Sequence, residues 1–246
     1  MPSATGLQKW LTQINQGEKM KESIINILNH SLLFKGMDEE EIKDFLKTSA
    51  SFVSTYEKNE IIFDMHEKPE YLFVLLEGSI SVAKDSISGK RTLITNIDDP
   101  GNIFAEVYLF LPKEHYDYYT LALESNTRIL KIPKPVFGSL GKDNCHQKLV
   151  TNMLTILSQK AYNLTEKLQV LASGGLRQKL ARLLLDGMDE DNNVILAMSR
   201  ENMADYLNVA RPSLSRELAN MNAEGLIEVK GRQIKVLEPE ELEMML

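Results

Sequence analysis

The pattern of apolar and polar positions changes its period twice along the 246-residue chain. Before residue 32, apolar residues recur at helical spacing, which predicts one or two helices broken at Gly17. These apolar positions are Leu7, Trp10, Leu11, Ile14, Ile24, Ile25, Ile27 and Leu28. We interpret residues 1–31 as an N-terminal helical extension that packs on the next domain, with a partner-binding helix as the alternative.

From Phe52 to Pro135 the spacing shortens to the alternation that is typical of β-strands. The predicted strands are Glu60–Phe63, Tyr71–Leu76, Ile80–Val82, Thr92–Thr95 and Thr127–Ile132. Turn sequences separate them, namely Lys58-Asn59, Glu77-Gly78, Ser88-Gly89-Lys90 and Asp99-Pro100-Gly101. Many short strands predict a roll, barrel or sandwich over residues 32–143. Such a body either encloses a small-molecule pocket or serves as a solid scaffold.

A long helix is predicted over residues 144–172, where two apolar series, each spaced by seven residues, form a coiled-coil seam. The series are Val150, Leu157, Leu164 and Leu171, and Leu154, Ala161 and Leu168. We interpret this segment as a parallel dimerisation helix, because polar residues such as Gln159 and Asn163 occupy the rest of its surface. An ordinary core-facing stripe is the alternative. Ser173, Gly174 and Gly175 end the helix and form a candidate hinge.

Residues 173–246 contain the strongest motif of the chain, a pair of short predicted helices. Ser199 is placed to cap the first helix, and residues 208–210 form a turn. The second helix begins at Arg211-Pro212, because proline is tolerated in the first turn of a helix. Two helices joined in this way predict a helix-turn-helix, whose second helix lies in the major groove of DNA.

The start of this second helix carries the groups that base reading requires. Arginine can bond guanine in a bidentate manner, and serine hydroxyls suit phosphates. A β-hairpin wing is predicted to follow, with strands at Gly225–Val229 and Ile234–Leu237. The candidate DNA-binding residues are Arg211, Ser213, Ser215, Arg216, Ser199, Lys230 and Arg232. A generic helical packing motif is the alternative interpretation.

Composition limits the classes of protein that fit. The chain is 43% apolar and carries a net charge of −7, so DNA binding has to rely on a local basic segment, such as 208–235. No apolar run is long enough to span a membrane and no secretory signal is present, so we expect a cytoplasmic protein. The single cysteine, Cys145, excludes an intrachain disulfide and a cysteine cluster. We expect neither a metal site nor an enzyme, since no catalytic constellation is present.

Several segments together resemble the CRP/FNR family of bacterial transcription factors. Phe34-Lys35-Gly36-Met37 is similar to the family's entry helix, and Tyr71–Gly78 to its strand-turn signature. Gly101–Glu106 resembles the ligand cassette, and Ala210–Leu218 the recognition helix. The resemblance implies an α+β fold with an N-terminal jelly-roll-like β-roll effector domain, a long dimerisation helix and a C-terminal winged helix-turn-helix. It also implies a homodimer on double-stranded DNA with a pseudo-palindromic operator, and RNA polymerase as a further candidate partner.

The chain departs from the family pattern at the effector site. Glu106 matches the acidic residue that binds the ribose of cyclic AMP, but Ala105 stands where the family has glycine. Asp117 and Tyr118 fall near the positions of the phosphate-binding Arg-Ser or Arg-Thr pair, and a carboxylate there repels a phosphodiester. We therefore expect an unidentified small-molecule effector other than cyclic AMP. The candidate effector residues are Glu106, Ala105, Tyr116, Tyr118 and Tyr119, and ordinary packing is the alternative for the tyrosines.

The sequence thus predicts an allosteric, sequence-specific regulator of transcription that swings its DNA-binding domains about the candidate hinge. The alternative is a cyclic-nucleotide-responsive signalling module that controls another protein. Pro212 stands where family members often carry a base-reading glutamate, so the operator is expected to differ from theirs.

Overall fold

The computed structural model describes residues 23–85, 91–138, 144–194, 198–231 and 233–246. The segment 1–22, which contains most of the predicted N-terminal extension, lies outside the described residues, as do the turn 88–90 and Arg232. The chain divides into two compact units, residues 1–157 and 158–246. Each unit is described by itself.

The first unit is built on two four-stranded antiparallel sheets. One has the strand order β1-β8-β3-β6 and the other β2-β7-β4-β5. The strands are β1 (Phe52–Tyr56), β2 (Ile61–Phe63), β3 (Tyr71–Glu77), β4 (Ile80–Asp85), β5 (Arg91–Ile97), β6 (Ile103–Phe104), β7 (Tyr119–Ala122) and β8 (Thr127–Pro133). The order interleaves early and late strands, as in a jelly roll.

The described residues of the first unit contain three strands that the alternation did not predict, namely β1, β6 and β7. β6 has only two residues, and all four residues of β7 are buried, so neither shows the half-buried alternation of a typical surface strand. The predicted turn between β3 and β4 depends on Gly78, which has a φ of +87°. A Cβ atom there would lie 2.5 Å from the Thr127 hydroxyl oxygen, so the close approach also requires glycine.

The first sheet separates two hydrophobic clusters, because successive residues of β3 and β8 face opposite sides. Phe73 and Ile129 face the second sheet and form the interior of the roll. Leu72 and Leu130 face a helical layer on the other side.

The helical layer of the first unit consists of three segments. Helix α1 covers residues 23–30 in its described part, α2 is Glu39–Thr48, and α4 is Asn144–Ala172. Ile24 and Leu28 of α1 are buried in the same cluster as Leu149 and Met153 of α4. The described part of the extension therefore packs on the roll, as the first interpretation expected.

The second unit begins within α4 and continues through α5 (Leu176–Asp186), α6 (Arg200–Tyr206), α7 (Arg211–Ala223) and α8 (Pro239–Glu243). A three-stranded sheet accompanies them, formed by β9 (Asn193–Val194), β10 (Ile227–Lys230) and β11 (Gln233–Val236). Leucines and methionines of these elements form one core. A β-roll domain, a long helix and a winged helix-turn-helix follow in this order, which confirms the predicted fold class.

Candidate nucleic-acid interface and effector region

The helix-turn-helix has the boundaries expected from its capping residues. The Ser199 side chain accepts a hydrogen bond from the Asn202 backbone N–H at 3.1 Å and caps α6. Asn208 adopts a left-handed φ of +53° in the turn, and Pro212 lies in the first turn of α7. Leu214 and Leu218 of α7 are buried in the core of the domain. Their burial sets which face of α7 remains exposed to solvent.

The exposed face of α7 carries all four candidate residues predicted on that helix. Arg211, Ser213, Ser215 and Arg216 are exposed. Neither arginine has a hydrogen bond or an ion pair with another of the described residues. Their guanidinium groups are therefore available to bond an external acceptor.

The wing supplies one further cation of the predicted set. Lys230 ends β10 and is exposed, and its ammonium group lies 2.8 Å from the Glu228 carboxylate. An exposed pair of this kind contributes little free energy, so a DNA phosphate can compete for the lysine. The Asn222 side chain accepts a hydrogen bond from the Val229 N–H at 2.8 Å and ties the wing to α7.

The sequence reasoning did not select Arg200, which the structure places between α7 and the wing. Arg200 lines a cavity of about 330 Å³ together with Ser215 of α7 and Gly231 of the wing. Its guanidinium donates to the Gly231 carbonyl at 3.4 Å, and burial lowers the pKa of this group. No carboxylate of the described residues pairs with it. The local sequence marked Ser199 as the cap, but only the folding of the wing places Arg200 beside the recognition helix.

A network of ion pairs anchors α7 on its opposite side. Arg177 of α5 donates to the Glu217 carboxylate at 2.6 Å and to both oxygens of the Glu224 carboxylate at 2.7 Å. The hydrogen bond from Arg177, above all, lowers the pKa of Glu224. Glu217 of α7 and Glu224, the residue that ends it, are thus both bound to Arg177 of α5.

The predicted dimer seam lies mostly on an exposed face of α4. Leu154, Leu164 and Leu168 are 60%, 58% and 57% exposed, and Ala161 is also exposed. Val150, Leu157 and Leu171 are half-buried. A different face of the helix, which carries Met153 and Ile156, packs on the roll. Except for Leu157, which packs against the same cluster as Met153 and Ile156, the predicted seam is therefore distinct from the core-facing stripe of α4.

The candidate hinge separates α4 from α5, and its glycines have ordinary backbone conformations. Gly175 precedes α5, and its N–H donates to the Gln178 side chain at 2.8 Å. The Ser173 hydroxyl donates to the Gln169 carbonyl. Val170, in the last turn of α4, is 1% exposed and belongs to the core of the second unit. The end of α4 is thus anchored to the DNA-binding unit ahead of the glycines.

The cassette residues Ala105 and Glu106 follow β6 directly. Ala105 adopts a φ of +62°, a left-handed conformation that is strained for alanine. This conformation explains why the family pattern places glycine at this position. Glu106 is 6% exposed and precedes the short helix α3 (Val107–Phe110).

The three candidate tyrosines do not face a single space. Tyr116 is buried in the roll interior, where its ring stacks on Phe63 with centroids 4.0 Å apart, and Tyr118 packs against the same cluster. Tyr119 belongs to a separate cluster with Leu121, and its hydroxyl donates to the Asp85 carboxylate at 2.9 Å. Tyr119, the first residue of β7, thus lies in a different hydrophobic cluster from Tyr116 and Tyr118.

Asp117, which the sequence places near the family's phosphate-binding position, has partners of its own in the structure. An Asp117 carboxylate oxygen lies 3.1 Å from the Lys113 ammonium group, and the Asp117 N–H donates to the Tyr108 hydroxyl at 2.9 Å.

Among the described residues, no group of three or more acidic, histidine or cysteine side chains is arranged to hold a metal ion. None of the described helices is both long and apolar enough to cross a bilayer.

Two family models match the chain in the order of its domains. Residues 53–144 match the cyclic nucleotide-binding domain, and residues 178–245 match the Crp-like helix-turn-helix domain. This combination defines a DNA-binding regulator of transcription with a sensory domain of the cyclic-nucleotide-binding type. The chain belongs to the CRP/FNR family of transcription regulators, which confirms the predicted family and function class.

Individual relatives are distant. A probable transcriptional regulator, flp, from Lacticaseibacillus casei is 26% identical over 70% of this chain and 78% of its own length. A CRP-like cAMP-activated global transcriptional regulator from Mycobacterium tuberculosis is 20% identical over 88% of this chain and 96% of its own. At such identities the relatives support the class of protein, while the details of the sites have to come from this chain.

Solved structures share the fold. The catabolite activator protein of Thermus thermophilus has a TM-score of 0.50 and 20% identity, over 87% of this chain and 98% of its own. The c-di-GMP responsive global regulator CLP of Xanthomonas campestris has a TM-score of 0.52 and 18% identity, over 81% and 99%.

Proposed function

We propose that this chain acts as a homodimer that reads a pseudo-palindromic DNA operator with α7, under the control of a small-molecule effector other than cyclic AMP. The observation that carries the proposal is the exposed face of α7, where Arg211 and Arg216 have no ion pair within the described residues. The helix-turn-helix match favours this function over the signalling module that controls another protein.

The exposed leucines of α4 support the dimer. Burial of one leucine side chain is worth about 1.5–3 kcal/mol, so three exposed leucines on one stripe are costly in a monomer. A second copy of α4 offers the same stripe and buries both by two-fold symmetry. The dimer then presents two copies of α7 to half-sites about one helical turn apart.

The contacts to DNA divide into two classes. Arg211 and Arg216 are proposed to read base edges, because they project from the N-terminal half of α7. Ser199, Ser213, Ser215, Lys230 and Arg232 are proposed to contact phosphates, together with Arg200 beside the wing.

The effector is proposed to differ from cyclic AMP because of the residues around the cassette. Relatives and neighbours are named for cAMP and c-di-GMP responses, but their identities of about 20% do not transfer these ligands to this chain. Asp117 opposes a phosphodiester, and Lys113 beside it is already paired. We further propose a cytoplasmic protein that acts by binding rather than by catalysis, with RNA polymerase as a partner at promoters.

A gel-shift selection on fragments of the protein's own genome, followed by titration of the selected operator, tests the proposal. Arg216→Ala is expected to weaken operator binding by about 1–3 kcal/mol and to relax base choice at one position in each half-site. Lys47→Ala, an exposed lysine of α2, serves as the matched control. Unchanged affinity and selectivity of Arg216→Ala would refute the assignment of this helix.

A further inference from the structure

One lysine on the inner face of the first sheet is surrounded by aromatic rings. Phe52, Lys131 and Phe73 are direct neighbours across β1, β8 and β3, so their side chains share one face of the sheet. Phe73 belongs to the cluster between the two sheets. Lys131 therefore faces the interior of the roll.

The Lys131 ammonium group lies within 5.9 Å of four ring centroids. The nearest is Tyr56 at 5.4 Å, and the others are Phe52, Tyr71 and Phe73. Lys131 has neither a hydrogen bond nor an ion pair with any of the described residues. Lys131 is half-buried, and the ring faces around it attract a cation but are weak acceptors for its three N–H donors.

A second donor lies near the same end of the roll. The Tyr116 hydroxyl is close to the backbone of Tyr71, whose ring contacts Lys131, yet it makes no hydrogen bond of normal geometry. Burial, followed by the charge of Glu67, raises the pKa of Tyr116, so the hydroxyl keeps its proton. Tyr116 is 3% exposed, and a buried hydroxyl of this kind normally has a partner.

We propose that the roll binds a small organic carboxylate with an apolar body, whose carboxylate pairs with Lys131 and accepts a hydrogen bond from Tyr116. This inference rests on the proposed effector-sensing role of the roll and names the chemical class of its ligand. In this proposal the apolar body packs against the surrounding rings, of which Phe52 is 45% exposed.

The charges at the site favour a carboxylate over a phosphodiester. A phosphate group is usually held by arginine forks or by several donors, whereas one ammonium group and one phenol match a single carboxylate.

Titration calorimetry of the full chain at neutral pH tests the proposal. The probes are benzoate, phenylacetate and hexanoate, each compared with its own amide. At least one carboxylate is expected to bind about tenfold or more tightly than its amide, because a charge-assisted pair is lost in the amide. Lys131→Met is expected to abolish this difference, and Lys131→Arg to retain it.

Lys84→Met is the matched control, because Lys84 is an exposed lysine of β4 in the second sheet. Its ammonium group lies 5.7 Å from the centroid of a single aromatic ring, that of Tyr118. It is expected to bind the carboxylates like the unmodified chain. Equal unfolding temperatures of the two variants without ligand exclude a folding defect. Absence of binding by all three carboxylates, equal binding of the amides, retained discrimination in Lys131→Met, or tighter binding of cyclic AMP would each overturn the proposal.

The experiment separates this proposal from the proposed DNA-binding function. Calorimetry measures the site without DNA, so loss of operator recognition in Arg216→Ala leaves the carboxylate result unaffected. Conversely, failure of the carboxylates to bind leaves the gel-shift result unchanged.

Discussion

The two units of this chain present their cationic side chains in opposite ways. In the winged helix-turn-helix, Arg211 and Arg216 are exposed, and the neighbouring acidic groups are bound by Arg177. In the roll, the half-buried Lys131 has its ammonium group within 5.9 Å of four ring centroids. Both units depart from the family pattern at single positions, the DNA-binding unit at Pro212 and the sensory unit at Ala105 and Asp117. The departures in the sensory unit support the proposal that its effector differs from cyclic AMP.

The largest effect is expected when the DNA-binding units of the two copies in the proposed dimer are no longer paired. Leu164→Glu places a carboxylate in the proposed seam of each copy of α4 and is expected to cost several kcal/mol of dimer stability. Light scattering should then show a monomer, and operator affinity should fall by about a hundredfold or more.

Thr155→Glu is the control for this change, because Thr155 is exposed on α4 but lies outside both apolar series. It is expected to remain dimeric. If Leu164→Glu remained a dimer at micromolar concentration, the dimer interface would have to lie outside this stripe of α4.

The second prediction concerns the DNA-binding unit alone. Arg200→Ala is expected to weaken binding of every DNA sequence by about 1 kcal/mol and to reduce the salt dependence by about one unit of slope, since the lost contact is to a phosphate. Gel shifts at several salt concentrations measure both quantities. A loss confined to the operator would instead assign Arg200 to base reading.

The third prediction tests how α7 is held. The folded pKa of Glu224 lies below its usual 4.5 because Arg177 binds the carboxylate, so this contribution to stability is present above that value and is lost as the pH falls through the lower folded pKa. Arg177→Met is therefore expected to destabilise the DNA-binding unit at neutral pH and to flatten its loss of stability on acidification. Urea unfolding across this pH range measures both, with Lys179→Met as the control. If the stability of Arg177→Met and that of the unmodified chain changed with pH in parallel, the ion pairs of Arg177 would not contribute to the stability of the DNA-binding unit.

The smallest expected effect lies in the sensory unit. Ala105→Gly relieves the strained φ of +62°, and we expect a gain of up to about 1 kcal/mol in the free energy of unfolding. The greater freedom of glycine in the unfolded chain offsets part of this gain. Thermal unfolding of the variant beside Ala83→Gly, a strand position, separates the two contributions. A loss of stability in Ala105→Gly would show that the strain is compensated by packing.

Sequence reasoning succeeded where the physical signal is local. Ser199 as a cap, Pro212 in a first helical turn and the glycine linker after α4 each depend on a few neighbouring residues, and the structure places all three as expected. The seven-residue repeat along α4 likewise appears in the structure as an exposed stripe through Leu154, Leu164 and Leu168.

Sequence reasoning missed features that depend on distant contacts. Strand β7 is buried along its whole length, so it lacks the alternation of buried and exposed residues by which a strand is predicted. The sequence also could not show that Tyr119 and Tyr116 lie in different clusters. Arg200 acquires its environment only because the wing folds over α6 and α7.

The sequence alone determined the order of the domains, the start of the recognition helix and the residues that α7 exposes, because caps, turns and periodicity act over a few residues. The tertiary structure decided which side chains meet inside the roll and beside the wing, because those contacts join residues far apart in the chain. The four rings around Lys131 come from β1 and β3, the two strands that flank β8, and no local pattern predicts their convergence.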